Sequence, residues 1–353
     1  MNSLIKNFYL VLGKQGLDGL IVCLPANITY LTKYTSRDSY LLVSKKQNVY
    51  FTDSRYIEEA RLELKGAAQL QKINGSLFKI IADTCLDIGL KRIGFEERYL
   101  PYAEYKKIDE GLGKKADLIP THSLIEELRL VKDQQELEKI RKAIQITGQA
   151  LRFIKDFIAA GKKEIEIEAE LERFIRYRGA GKCAFDIIVA SGANSSFPHH
   201  ISSQKRIQKD ELVLIDIGVD YQGYKSDLTR VFFLGKIKVL AKQIYAVVRK
   251  AQEKAIEKIR PGVEAGEIDR VGRQYIREKG FGEYFGHNLG HGVGLEVHEY
   301  PRISGQDDTV LVPGMVFTVE PGIYLPNKFG VRIEDMVLVT KKGCEVLSGS
   351  INK

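Results

Sequence analysis

Two pairs of acidic side chains fall where buried strands are expected. Asp216 interrupts the apolar run Leu212–Ile217, and Asp227 precedes a second apolar run, 228–234. Gly218 and 220–223 read as a turn between them. With the turn centred between Tyr221 and Gln222, Asp216 is expected directly opposite Asp227. Cross-strand neighbours have Cβ atoms about 4.5–5.5 Å apart, and like charges there are unfavourable. Two carboxylates that close in an apolar setting must share a proton or hold a cation. The pattern recurs downstream. Val316–Val319 and 331–339 read as strands, with Glu320 ending the first and Glu334 inside the second. A turn centred on Asn327 sets Glu320 opposite Glu334, a register that a bulge at Pro321 and Gly322 would shift.

Residues 285–299 lie between the two hairpins and carry glycines at 286, 290, 292 and 294. That glycine content excludes a stable helix. His287 and His291, although four apart, are therefore not expected to act as a helical metal pair. Glycine on both sides of His291 points to tight backbone packing around a site. Oxygen ligands with one imidazole suit Mn²⁺, Co²⁺, Fe²⁺ or Zn²⁺. Two divalent ions would neutralise four carboxylates, and a pair about 3.5–4 Å apart can bridge a hydroxide and clamp a tetrahedral intermediate. The competing reading pairs these acids with Lys225, Arg230 or Arg332. The mirrored spacing of four acids argues against it.

The elements that must position these residues follow from periodicity. Helices are expected over 4–14, 53–64 (N-capped by Asp53 or Ser54), 76–89 and 101–112. Strands are expected over 20–24, Tyr40–Ser44 and 92–95. This alternation makes a small α/β layer of roughly the first 122 residues, with no Gly-rich phosphate loop. His122 reads as a surface residue. Residues 124–160 are mostly one helix, opened by an Asp133/Glu136 capping box. Further helices are expected over 164–178, 241–260 and 265–279, and a strand over 185–190. The polar loop 191–204 holds Pro198, His199 and His200. The boundary near Leu130 divides the chain into 1–129 and 130–353.

The whole chain bounds the answer in a consistent way. Its 353 residues allow one very large domain or two ordinary ones. An apolar fraction of 44% and a charged fraction of 28% belong to a soluble globular protein. The net charge of +8 comes from Lys and Arg interleaved with Glu and Asp. That reads as solvated faces, not as a nucleic-acid stripe. The four cysteines are far apart and form no Cys-x-x-Cys pair, as expected of reduced thiols in a cytoplasmic protein. The apolar run 8–12 is too short for a signal peptide, and no stretch reaches membrane-spanning length.

Taken together, the motifs carry a family resemblance. Pro198-His199, Asp216-Ile-Gly218, Ser226-Asp-Leu-Thr-Arg230, Gly290-His-Gly-Val-Gly294, Val297-His-Glu299, Val319-Glu-Pro-Gly322 and Arg332-Ile-Glu-Asp335 resemble the signature of the pita-bread metallopeptidases. Their order and spacing are similar to those of the prolidase and aminopeptidase P branch over about 130–353. The resemblance implies an α+β fold. A pita-bread catalytic domain, with a curved antiparallel sheet and helices, follows a smaller creatinase-like α/β domain. It implies Asp216, Asp227, His291, Glu320 and Glu334 as ligands of two divalent ions, with Mn²⁺ first among the four candidates. Asp216 would be bidentate to one ion, and Asp227 and Glu334 would bridge both. His291 and Glu320 would bind the other ion, and Glu320 would also take the proton of the attacking water. His298 would stabilise the developing oxyanion, and His199 would line the substrate pocket. Among the substrate-binding residues, Arg302 would read a C-terminal carboxylate and Arg332 would hold the site's carboxylates. His200 departs from the usual small residue after Pro-His, so either His199 or His200 can face the pocket.

The activity implied is hydrolysis of the bond before proline in small peptides. An Xaa-Pro dipeptidase is the first reading, and aminopeptidase P acting on longer peptides is the alternative. A creatinase-type amidinohydrolase or a non-catalytic homologue is disfavoured by the intact ligand set, and methionine aminopeptidase by the leading domain. The resemblance also implies a homodimer.

Overall fold

The structure is a computed structural model and describes residues 3–353. The chain divides into two compact units between Leu128 and Arg129. No helix among the described residues is long and apolar enough to cross a membrane.

The leading unit is built on a six-stranded mixed sheet. Gly19–Val22 lies in its interior, antiparallel to Tyr40–Ser44 and parallel to Arg92–Glu96. Val49–Thr52 and Gln69–Lys72 extend one side, and Asp117–Thr121 forms the other edge. Gly19–Val22 is buried throughout, as a strand covered on both faces must be. Ile81, Ala82 and Cys85 of helix Leu77–Ile88 pack with Ile108 and Leu112 of helix Tyr102–Leu112 against Ile21, Leu42, Phe51 and Ile93.

Several elements here differ from the sequence reading. Helix Pro25–Thr32 and strands Val49–Thr52, Gln69–Lys72 and Asp117–Thr121 were not expected. Gln69–Lys72 is a polar edge strand with no apolar alternation, and Pro120 is tolerated because its strand is also an edge. The helix placed at 53–64 begins only at Ile57, with Tyr56 at its N-cap. Asp53 does not cap it; its carboxylate is taken by Arg55.

In the second unit every strand pairing is antiparallel. Helix Gln134–Phe157 opens with the expected capping box: Asp133 Oδ1 accepts from Glu136 N at 2.9 Å, and Glu136 Oε2 accepts from Asp133 N at 2.8 Å. Helices Val239–Lys258 and Ala265–Glu278 bury Ile244, Val248, Ala251 and Ile268 against Phe317, Val319, Val331 and Val337 of the sheets. The strand expected at 185–190 forms over Ile188–Ser191.

The first acidic hairpin has a different register from the one its sequence implied. Asp216 pairs with Thr229, not Asp227, and Ile217 pairs with Leu228. The cause is the turn. Gln222 and Gly223 both have positive φ, at 52° and 87°, so they are the two central residues of a tight primed turn. Tyr221 then pairs with Tyr224. The slip is two residues in pairing, which preserves the face. Asp216 and Asp227 therefore remain on one side of the ribbon as diagonal neighbours.

The second hairpin keeps the expected register. Val319 pairs with Asp335 on one side of Glu320 and Glu334, and Gly322 pairs with Arg332 on the other. No bulge forms. The ladder lapses instead over 320–321 and 333–334, so the strand expected at 331–339 becomes Phe329–Arg332 and Asp335–Val339. The freed backbone groups are redirected. Glu320 N donates to Leu289 O, and Glu334 N donates to Thr229 O. Gln252 is fully buried on its helix and donates to Val319 O at 2.9 Å and Ile333 O at 3.1 Å. Replacing it with an apolar side chain strands two buried carbonyls. Gln252→Leu should therefore lower unfolding stability by about 1–3 kcal/mol. Chemical unfolding followed by circular dichroism checks this, and an unchanged midpoint contradicts it.

Candidate active site

Backbone packing around His291 comes first. A Cβ at Gly290 would stand 2.0 Å from Thr318 O, and one at Gly292 would stand 2.1 Å from Tyr300 O. Only glycine permits strand Gly290–Gly292 to run this close to its neighbours. Asp269 and Arg273 of helix Ala265–Glu278 hold the approach to it. Asp269 accepts from Leu289 N, and Arg273 donates to Phe285 O and His287 O. His291 Nδ1 lies 3.2 Å from Gly292 O, which assigns a proton there and turns Nε2 toward the acids. Nε2 is 3.2 Å from Glu320 Oε1 and 3.6 Å from Asp227 Oδ2. Thr318 links the pair, accepting from His291 N and donating to Glu320 Oε1.

Three of the four acids, Asp227, Glu320 and Glu334, stand around this imidazole, and Asp216 adjoins Asp227. One ligand atom from each of Asp227, His291 and Glu334 lies within 4.8 Å of the others. Asp216 and Glu320 are close enough to perturb Asp227 and Glu334 electrostatically. The alternative salt bridges go elsewhere. Lys225 pairs with Asp220 and Arg230 with Asp335. Only Arg332 touches the group, with Nη2 2.5 Å from Asp216 Oδ2. Among the described residues, no Lys or Arg bridges Asp227, Glu320 or Glu334.

Arg332 is the hub of an uncharged-to-charged chain of hydrogen bonds. Its Nη1 donates to Tyr324 Oη at 2.9 Å, and Nε donates to Thr229 Oγ1 at 3.0 Å. Thr229 Oγ1 in turn donates to Glu334 Oε2 at 2.7 Å. His287 Nδ1 faces Asn288 O, so Nε2 accepts from Tyr324 Oη at 3.0 Å. One guanidinium thus orients Asp216 directly and Glu334 through Thr229. Thr229, Tyr324 and Thr318 were not singled out from sequence. Thr229 lay inside a motif, but hydroxyls carry no pattern until their partners are known.

The electrostatics show what the residues lack. Burial raises the Asp227 carboxyl well above its ordinary value, and Glu334, Asp216 and Glu320 push it further. Glu334 is raised well above its ordinary value by burial, then by Glu320 and Asp216. Asp216 is raised by burial despite Arg332. Glu320 differs. Burial opposes its ionisation, but the hydrogen bond and charge of His291 outweigh it and bring it down to about 2. Asp216 Oδ1 and Glu334 Oε1 are buried with no hydrogen-bond partner. Orphaned carboxylate oxygens beside a correctly oriented imidazole are the donor set a divalent cation requires. The residues therefore fit a divalent metal site.

The remaining predicted residues lie around this centre. The His298 ring is 4.1 Å from that of His291, and burial with the His291 charge lowers its pKa to about 4. His199 is exposed and within electrostatic reach of His298. His200 is instead bound to Glu164, 2.9 Å away. Arg302 is exposed on the strand beside His291, as its cross-strand partner. Behind His298, buried Glu299 is held by Lys132 at 2.6 Å and by Arg129.

The raised carboxyls set a pH dependence. A group whose folded pKa lies above its unfolded value contributes full stability below the unfolded pKa and loses it as pH rises through the folded one. Metal-free protein should therefore lose thermal stability from Asp227 and Glu334 as pH rises above about 4. Added Mn²⁺ should restore more at pH 8 than at pH 5, because fewer protons must be displaced. Thermal scans of chelated protein check this, and Glu334→Gln should flatten the metal-free slope. Equal Mn²⁺ stabilisation at both pH values contradicts it.

The chain is similar to known proteins along nearly its whole length. Residues 138–341 match metallopeptidase family M24, and residues 5–131 match the creatinase/prolidase N-terminal domain. An Xaa-Pro dipeptidase of Pyrococcus horikoshii is 38% identical over 99% of this chain and 97% of its own length. The solved structure of an Xaa-Pro dipeptidase from Bacillus anthracis superposes with a TM-score of 0.95 at 40% identity, covering 99% and 98% of the two chains. That of an X-Pro aminopeptidase from Thermotoga maritima gives 0.87 at 38% identity, covering 94% and 96%. The creatinase-like leading domain and pita-bread second unit are those of its relatives, and this chain belongs to metallopeptidase family M24.

Proposed function

We propose that this protein is an Xaa-Pro dipeptidase with two divalent ions, Mn²⁺ first among the candidates, in its 130–353 catalytic domain. The observation that carries the reading is the gathering of Asp227, Glu320 and Glu334 about one oriented imidazole, with Asp216 beside Asp227 and two carboxylate oxygens left unpaired. Asp216, Asp227, His291, Glu320 and Glu334 would hold the ions. The ions would supply Lewis acidity at the scissile carbonyl and lower the pKa of water.

The chain's own groups do the rest. Glu320 receives the water's proton. His298 is uncharged at neutral pH and donates a hydrogen bond to the developing oxyanion. Arg332 fixes Asp216 and, through Thr229, Glu334. His199 contacts the substrate from the loop. Arg302 makes no hydrogen bond or ion pair among the described residues, so its guanidinium is available to read the C-terminal carboxylate of a dipeptide. That availability favours dipeptides. The aminopeptidase reading, cleavage of longer Xaa-Pro-Yaa peptides, is supported by the likeness to the Thermotoga enzyme. Free thiols at all four cysteines support a cytoplasmic location, and the family resemblance supports a homodimer.

Proline release from Xaa-Pro dipeptides, compared with Xaa-Pro-Yaa and creatine, tests this with Mn²⁺ and with chelator. Dipeptide turnover that chelation stops is expected. No release from any proline peptide contradicts the reading. Glu320→Gln should abolish turnover without unfolding the protein, and full activity would contradict the assigned role. Arg302→Ala should raise KM for dipeptides about 10- to 100-fold and spare tripeptides.

A further inference from the structure

Glu164 opens helix Glu164–Tyr177 and is completely buried, yet it lies outside the metal centre. Its carboxylate is saturated. Oε1 accepts from Ser191 N and Ser191 Oγ, both at 2.7 Å, and from Asn194 Nδ2 at 3.0 Å. Oε2 accepts from Ser203 Oγ at 2.6 Å, Ser203 N at 3.1 Å and His200 Nε2 at 2.9 Å. A carboxylate offers about four lone-pair sites, so this one has no capacity left. Every donor belongs to the loop 191–203. One buried charge therefore ties both ends of that loop and one ring within it to the helix start.

The far side of the loop is fixed to the second acidic hairpin. Gly330 N donates to Ser195 Oγ at 2.8 Å, and Arg332 Nη1 donates to Pro198 O at 3.3 Å. Held at Pro198 and at His200, the chain has one histidine left to turn outward. His200 is largely covered, its side chain 13% exposed, while His199 is exposed and near His298.

We propose that Glu164 is a positioning residue: by binding His200 it makes His199 the histidine that the Pro198-His199-His200 segment presents to substrate. A carboxylate is needed because the loop offers it N–H and O–H donors only. A carboxamide would turn an NH₂ group against some of them. The role of His199 rests on the Xaa-Pro peptidase reading, so one arm of the test is independent of turnover.

That arm is carbethoxylation of metal-free protein by diethyl pyrocarbonate, mapped by fragment-ion mass spectrometry. His199 should react several-fold faster than His200 in the native protein, and Glu164→Gln should remove most of the difference. Equal reactivity in the native protein overturns the proposal, whether or not the enzyme turns over Xaa-Pro peptides. The second arm is a double-mutant cycle in kcat/KM for an Xaa-Pro dipeptide. Glu164→Gln should cost several-fold alone and almost nothing in a His199→Ala background. A merely structural Glu164 predicts additive losses, and additivity overturns the proposal. Should Glu164→Gln not fold, His200→Leu replaces it in the cycle, and His200→Gln, which keeps an N–H near the same point, should recover most of the loss. Failure of native turnover alone would sink the peptidase reading and leave the modification arm decisive.

Discussion

Mutual repulsion of carboxylates in a covered cleft is the constraint around which the second unit is arranged. Asp216, Asp227, Glu320 and Glu334 come from two hairpins and are at most slightly exposed. One guanidinium, Arg332, bonds only one of them directly. Burial and like charge drive three of the carboxyls toward their protonated forms. Glu320 escapes because His291 faces it. The distribution is uneven: three carboxyls are pushed toward their protonated forms, and the fourth is ionised beside His291.

The backbone accepts local losses to bring these groups together. The second hairpin gives up its regular ladder over 320–321 and 333–334, and several of the freed groups find other partners. Glu320 N reaches the segment before His291, and Glu334 N reaches the first hairpin. Gln252 takes the two carbonyls from below. The same breaks that carry Glu320 and Glu334 into the cleft thus fasten three chain segments to one another. Arg332 and Thr229 then fix which oxygen of each acid faces inward. Site geometry and sheet continuity are two aspects of one set of bonds.

Much of this was legible in the sequence, for identifiable reasons. Mirrored acids on apolar runs, and glycines around His291, are patterns of spacing, and spacing survives folding. The second register was readable because Asn327, at positive φ, sits at the centre of a short loop. The first was misplaced because Gln222 gives no sign of a positive φ; only Gly223 did. The face survived the error because the slip was even. In the leading unit the polar strand Gln69–Lys72 lacks an alternating pattern, so nothing marked it. Glu164 was invisible for another reason. Its donors are spread over 191–203, and serines and an asparagine in a polar loop look like solvent-facing residues until the loop closes on a charge. The choice between His199 and His200 was undecidable from sequence, since adjacent identical residues differ only in which partner the fold supplies.

The central claim is that these five side chains together hold two divalent ions. Anomalous diffraction from crystals soaked in Mn²⁺ tests it most directly. The account predicts two strong peaks among Asp216, Asp227, His291, Glu320 and Glu334. No peak between them, with the five side chains standing apart, would contradict it.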